Sequence, residues 1–180
     1  HGEGFSPYVE NLVYDGESNF KGLFDSVRQQ GTFEKWLDTA KKVRSGDSIP
    51  ARAILAASFA SPLVTLSEAL SFFVHLWGSE SGTGKTVGLM LAASVWADPQ
   101  DGKYIKYFNS TMVSLELAAG FVNHLPLILD EFQMVKNKKD FEGIVYMLAE
   151  GIGKGRGSKT GGIRETPTWK NCILTSGEMP

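Results

Sequence analysis

The 180-residue sequence predicts an α/β fold in which helices cover both faces of a parallel sheet, a three-layer arrangement. Three observations predict it. From about residue 50 onward, short apolar runs alternate with stretches of helical spacing, the pattern of strands joined by crossover helices. One apolar run, Phe72-Phe73-Val74-His75-Leu76-Trp77, leads into the glycine-rich turn Gly78-Ser79-Glu80-Ser81-Gly82-Thr83-Gly84, then Lys85-Thr86 and a helix-like run. A second, Leu125-Pro126-Leu127-Ile128-Leu129, ends in the acidic pair Asp130-Glu131.

Taken in order, residues 1–30 read as loop and edge structure, with Asn11-Leu12-Val13-Tyr14 a weak strand candidate. Phe33, Trp36, Leu37 and Ala40 recur at helical spacing, so a helix is expected from Thr32 as N-cap to Val43, with Lys41, Lys42 and Arg44 favouring its C-terminal end. Ser45-Gly46-Asp47 breaks it, and Pro50 suits the first turn of an alanine-rich helix running to about Phe59. Ser61-Pro62 breaks or kinks that helix before a short one near 63–70. The core then alternates: strand 72–77, helix 85–96, strand 103–108, helix 111–122, strand 125–130, helix 140–150, a glycine-rich basic stretch at 151–168, and strand 171–176.

The order strand, glycine-rich turn, Lys-Thr, helix is what a phosphate-binding P-loop requires. Glycines let backbone N–H groups turn toward a phosphate, and the helix N-terminus adds positive potential. Gly78, Ser79, Glu80, Ser81, Gly82, Thr83, Gly84, Lys85 and Thr86 would form this site, with ATP and Mg²⁺ as its ligands. Lys85 would reach the β- and γ-phosphates, and Thr86 would place its hydroxyl on Mg²⁺. The strict pattern asks for glycine at position 79, where this chain has Ser79 with Gly78 one place earlier. Either the loop is wider by one residue or Ser79 keeps an ordinary φ. The bland alternative is a Gly/Ser surface turn before a helix.

A nucleotidase also needs an acidic element on a nearby strand. Asp130 would hold the Mg²⁺ water shell, and Glu131 would orient or deprotonate the attacking water. Such a pair also occurs at ordinary solvated strand ends. About 45 residues separate the two motifs, room for a helix, a strand and a helix.

Composition narrows the class. Apolar and charged residues make up 42% and 21% of the chain, ordinary for a globular protein. The single Cys172, in an apolar run, excludes an internal disulfide framework and fits a reducing cytoplasm. No signal peptide is visible, and the uncharged stretch 53–67 is shorter than the roughly 20 residues of a membrane span. From residue 136 onward eight Lys/Arg face five acids, net +3, whereas residues 1–135 carry net −5. That asymmetry suits a polyanion-facing surface or simply a solvated loop.

Several segments together resemble a known family: 58–63 (SFASPL), 74–78 (VHLWG), Gly84-Lys85-Thr86 with 92–96 (AASVW), 108–111 (FNST), 127–131 (LILDE), and Trp169 through Ser176-Gly177-Glu178. The sequence is similar over roughly residues 50–180 to the domain of unknown function nine-two-seven, found in phage, prophage and mobile-element primase–helicases. That resemblance implies an AAA+-like P-loop NTPase core with an N-terminal helical extension, lacking the final strand and lid. It implies residues 1–49 as an extension or collar and 50–180 as an ATPase core truncated at its C-terminus.

The same resemblance implies Mg²⁺-dependent ATP hydrolysis driving DNA unwinding or translocation in a cytoplasmic replicative helicase. Single-stranded or forked DNA would be the partner, and a homo-oligomeric ring, a hexamer, the assembly; no membrane is involved. In AAA+ ATPases the strand after the acidic one lies between it and the P-loop strand, and its polar tip contacts the γ-phosphate or attacking water. Thr175 and Ser176 are the candidates, with an ordinary strand cap as the alternative. Asn109, at the tip of the second strand, is a candidate switch residue restraining Glu131 until DNA binds, or else a turn residue. A β-hairpin within 151–168 would carry Lys154, Arg156 and Lys159 to DNA phosphates, with Thr160-Gly161-Gly162 near its tip. A flexible loop with incidental charge is the alternative there. An assembly ATPase or nucleotide switch without translocation is the competing function, and a small-molecule kinase a further one. A GTPase is disfavoured, because Asn137-Lys138-Lys139-Asp140 follows the acidic strand too directly.

Overall fold

The computed structural model describes residues 18–80, 82–100, 102–132, 138–157 and 163–178. Two helices, α1 (Ser18–Ser26) and α2 (Phe33–Ser45), precede α3 (Ile49–Ala60) and the single turn α4 (Leu63–Leu66). The remaining elements are β1 (Phe72–Trp77), α5 (Lys85–Ala93), β2 (Lys106–Tyr107), α6 (Met112–Val122), β3 (Leu127–Asp130), α7 (Lys138–Glu150), β4 (Arg156–Gly157), β5 (Ile163–Arg164) and β6 (Cys172–Gly177).

Four strands form one parallel sheet in the order β1-β6-β3-β2. The last strand in sequence therefore sits between the first and third. β6 pairs with β1 from Phe72↔Cys172 to Trp77↔Gly177 and with β3 from Leu127↔Ile173 to Leu129↔Thr175. Strands buried on both faces read as continuous apolar runs, and β3 and β6 are buried at every position. With right-handed crossovers, the outward step from β1 to β2 and the return through β3 to β6 put α5 and the α6–α7 pair on opposite faces. α3 and α5 pack on each other and on β6, while α6 packs on β3 and on α7. Leu89, Leu115, Leu129, Ile173 and Leu174 are among the side chains this closes off from solvent. Among the described residues, no helix is long and apolar enough to cross a membrane.

Several expectations need correction. The segment before residue 30, expected as loop and edge, holds α1. Its Phe20, Leu23 and Phe24 recur at helical spacing over only nine residues; Leu23 enters the main core and Phe20 stacks on Phe121 at 5.0 Å. The strand candidate at 11–14 lies outside the described residues. The expected strand 103–108 shrinks to two residues, because Tyr104 and Ile105 are both buried although adjacent, which a half-exposed strand cannot arrange. The Tyr104 hydroxyl donates to the Pro126 carbonyl at 2.8 Å, and burial pushes its pKa up. Thr32 is extended at the start of α2 but makes no side-chain cap; Ser48 and Thr111 cap α3 and α6 through the N–H groups of Ala51 and Ser114.

The break at Ser61-Pro62 has a structural use. Ser61 Oγ donates to the His124 carbonyl at 2.9 Å and accepts from the Cys172 N–H at 3.0 Å, tying the end of α3 to the start of β6. Burial of Cys172 pushes its thiol up to about 12.

α7 ends at Gly151, whose φ of +72° lies in the left-handed region that ends many helices. A Cβ there would stand 2.5 Å from the Trp169 carbonyl oxygen, which leaves no room for alanine. Gly151→Ala is expected to lower stability by about 1–3 kcal/mol in urea unfolding; an unchanged midpoint would show that the α7–β6 connection is not constrained as described.

Candidate functional site

Parallel pairing brings the carboxyl ends of all four strands to one edge of the sheet. The glycine-rich turn leaves β1 at that edge. Gly82 and Gly84 take φ of +77° and +86°, conformations that favour glycine. Gly84 is the N-cap of α5. Ser79 is not among the described non-glycine residues with positive φ, so its side chain costs the turn nothing. Gly78 is not required sterically either, since a Cβ there would make only ordinary contacts with Thr83 Oγ1 (3.6 Å) and Lys85 Nζ (3.9 Å). The Lys85 ammonium curls back across the turn and donates to the carbonyls of Gly78 (2.9 Å) and Glu80 (2.8 Å) and to Thr83 Oγ1 (3.2 Å). Thr86 is exposed on the first turn of α5. Ser81 lies outside the described residues. An ammonium thus lies where a helix begins, and a helix N-terminus carries positive potential that suits an anion.

The acidic pair closes β3 two strands away, about 10 Å at the usual strand spacing. Asp130 is buried, with 4% of its surface exposed. A buried carboxylate needs hydrogen-bond donors, and Asp130 Oδ1 has two: the Ser176 hydroxyl of β6 and the Glu131 N–H at 3.0 Å. The Glu131 N–H also reaches Ser176 Oγ at 3.3 Å. These bonds hold Glu131 at a φ of +60°, a conformation that costs a non-glycine residue roughly 1–2 kcal/mol. Strain of this kind concentrates where a side chain must be aimed.

β6 bridges turn and acids. The Gly78 N–H donates to the Gly177 carbonyl at 3.3 Å, joining the turn's mouth to the β6 tip. Thr175 is fully buried, and its Oγ1 lies 2.7 Å from His75 Nδ1. The His75 ring rests on Phe132 with centroids 4.8 Å apart. Gly177 leaves the space between them tight: a Cβ would stand 3.0–3.1 Å from the His75 ring and from Phe132 Cβ, so those side chains would have to shift slightly to admit one. The hydroxyls of Thr175 and Ser176 are therefore both engaged by protein groups. His75, Phe132 and Gly177 were not assigned roles from sequence; a histidine inside an apolar strand was the available signal, but its partner depends on register.

Asn109 follows β2 at the same edge. Tyr107 pairs with Asp130, the Phe108 N–H donates to the Asp130 carbonyl at 3.1 Å, and exposed Asn109 comes next. Burial lowers the pKa of Lys106, whose ammonium donates to the Lys103 carbonyl. Among the described residues, no cluster of three or more His, Cys, Asp or Glu side chains could hold a metal ion.

The basic stretch forms an antiparallel ribbon, with Arg156 paired to Arg164 and Gly157 to Ile163. Exposed Lys154 lies at its root, Arg156 begins its first strand, and Lys159 and the tip lie outside the described residues. The ribbon joins the end of α7 to the start of β6, so its root stands at the amino edge of the sheet, opposite the turn and the acids.

Fold and edge define an α/β protein whose parallel sheet gathers an anion-suited turn and a buried acid at one rim. The chain belongs to the family described as domain of unknown function DUF927, whose model matches residues 11–168. Among solved structures it is similar to SCCmec type IV Cch, an active helicase, with a TM-score of 0.58 and 22% identity over 84% of this chain and 28% of that one. The likeness is one of fold, and this chain spans little more than a quarter of that helicase. No curated protein matches the chain significantly.

Among the described residues, Ser176 is a side chain that bonds both members of the acidic pair. Ser176→Ala is expected to cost about 1–3 kcal/mol by leaving a buried acceptor short of a donor, read as a lower midpoint in thermal unfolding. A midpoint equal to wild type would show that the Ser176 bridge contributes nothing.

Proposed function

We propose that this chain is the ATPase module of a DNA helicase or translocase of the kind carried by phage and mobile elements, acting as a ring, a hexamer, in its full-length form. The observation that carries the reading is the single sheet edge on which the turn with Lys85 and the Asp130-Glu131 pair meet through Gly177 and Ser176. Membership of the family and the fold shared with a helicase support it.

In this reading the substrate is ATP and the bond cleaved is the β–γ phosphoanhydride, with water as nucleophile. The backbone N–H groups of 78–86 wrap the phosphates, and the Lys85 ammonium leaves its carbonyl partners for the β- and γ-oxygens. Thr86 and Asp130 would hold Mg²⁺, which when bound supplies charge neutralisation for the phosphate oxygens; a hydroxyl on the first turn of α5 and a carboxylate at the same rim are the donor types that ion takes. Glu131, turned out of the strand by its positive φ, orients the water and accepts its proton. Ser176 keeps Asp130 and Glu131 in place, while Thr175, on release from His75, would act as sensor and Asn109 as switch. Lys154, Arg156 and Lys159 contact the DNA backbone, a sequence-independent interaction that weakens with salt.

ATP turnover by the full-length protein with and without single-stranded DNA tests this. Turnover should rise with DNA and fall by about 10²-fold or more in Lys85→Ala and in Glu131→Gln. Nucleotide-dependent assembly with turnover indifferent to DNA would favour an assembly ATPase, and turnover unaffected by either substitution would overturn the site.

A further inference from the structure

Glu116 sits in the middle of α6 with none of its surface exposed. A side chain that carries a carboxyl group is seldom buried without a specific engagement. Here the Lys154 N–H, at the ribbon root, donates to Glu116 Oε1 at 3.2 Å. Gly153 makes the approach possible: a Cβ on it would stand 2.4 Å from Oε1, 2.8 Å from Cδ and 2.9 Å from Cγ. One turn further along the same face of α6, Gly120 receives the other limb of the ribbon, where a Cβ would stand 2.8 Å from Pro167 Cβ. The limbs are themselves laced together. The Gly153 N–H donates to the Pro167 carbonyl at 2.8 Å, Ile152 bridges Thr168, and the Trp169 N–H donates to the Gly151 carbonyl at 2.9 Å. The ribbon root is therefore seated on one face of α6 at two points one turn apart.

The other end of α6 reaches the acidic edge. The helix starts behind Thr111, whose hydroxyl caps it, two residues after Asn109 and three after Phe108, which is bonded to Asp130. A helix of 11 residues is a stiff rod of about 16 Å. We infer that Glu116 is a positioning residue that couples the basic ribbon to the acidic edge. Seating of the ribbon on nucleic acid moves α6 through the Glu116–Lys154 bond, and α6 moves the Asn109 end against Asp130 and Glu131. The coupling rests on the ATPase reading above; the clamp itself rests only on the geometry of α6 and the ribbon. To the extent that ribbon seating changes nucleotide affinity, nucleotide changes the ribbon's affinity for DNA by the same factor.

Three substitutions in the full-length protein separate the possibilities. Glu116→Gln keeps an acceptor oxygen in the same place, Glu116→Leu removes it at similar size, and Gly153→Ala pushes the ribbon off the carboxyl group. DNA-independent ATP turnover should stay within about twofold of wild type in all three. The stimulation by saturating single-stranded DNA should fall about fivefold or more in Glu116→Leu and Gly153→Ala, a typical coupling energy, and Glu116→Gln should keep more than half of it. Amide hydrogen exchange at 151–157 should quicken in Glu116→Leu while that at 172–176 does not. Full DNA stimulation in Glu116→Leu or Gly153→Ala would overturn the coupling alone. Unchanged exchange at 151–157 would overturn the clamp. A wild-type protein with no ATP turnover would overturn the ATPase reading and the coupling built on it, with the exchange measurement still deciding the clamp. If Glu116→Leu does not fold, Gly153→Ala carries the same outcomes.

Discussion

The parallel pairing of β6 with β1 on one side and β3 on the other is the constraint on which everything else depends. It brings a strand late in the sequence between two earlier ones and fixes their heights, Trp77 against Gly177 and Leu129 against Thr175. A slip of one residue would turn every side chain of a strand to the opposite face. Ser176 would then no longer face Asp130, Thr175 would lose His75, and Gly177 would no longer leave space between His75 and Phe132. Register is secured by burial, since Cys172, Ile173 and Leu174 are all fully enclosed.

The two edges of the sheet spend their polar groups differently. At the amino edge side chains serve the backbone: Ser61 links the His124 carbonyl to the Cys172 N–H, Asn171 donates to the Leu125 carbonyl, and Trp169 Nε1 donates to the Leu148 carbonyl. These bonds fasten the ends of α3, α6 and α7 around the start of β6. At the carboxyl edge the polar groups hold one another in less comfortable states, with an ammonium folded onto carbonyls, a buried carboxylate on a hydroxyl, and a glutamate at positive φ. Open sheets of this type bind ligands outside the carboxyl ends of their strands.

Much of the fold was legible in the residues. β1 is bounded by Ser71 and Gly78 and stands where the apolar run stands. The helices after it follow their apolar spacing to within a few residues at each end. α1 was missed because nine residues give too few repeats of a helical period, and β2 was overextended because Tyr104 and Ile105 pass for an alternating strand until both prove buried. Strand order came from family resemblance, since apolar runs carry no record of their neighbours. In the candidate site, the turn and the acidic pair were visible as local patterns. The engagement of Thr175 by His75 and of Ser176 by Asp130 was not, because each joins residues on different strands. Glu116 was invisible for a similar reason: on sequence it is one charged residue in an apolar helix, and a backbone N–H that it accepts from lies 38 residues away.

In the proposed function, one rim of the sheet grips a triphosphate between the Lys85 turn and Asp130. The most direct measurement is nuclear relaxation by a paramagnetic nucleotide complex, Mn²⁺-ATP, in protein with assigned backbone amides. Broadening is expected to concentrate at Gly82–Thr86, Asp130–Phe132 and Ser176–Gly177, and to be competed away by Mg²⁺-ATP. Broadening centred elsewhere, or none at saturating nucleotide, would contradict it.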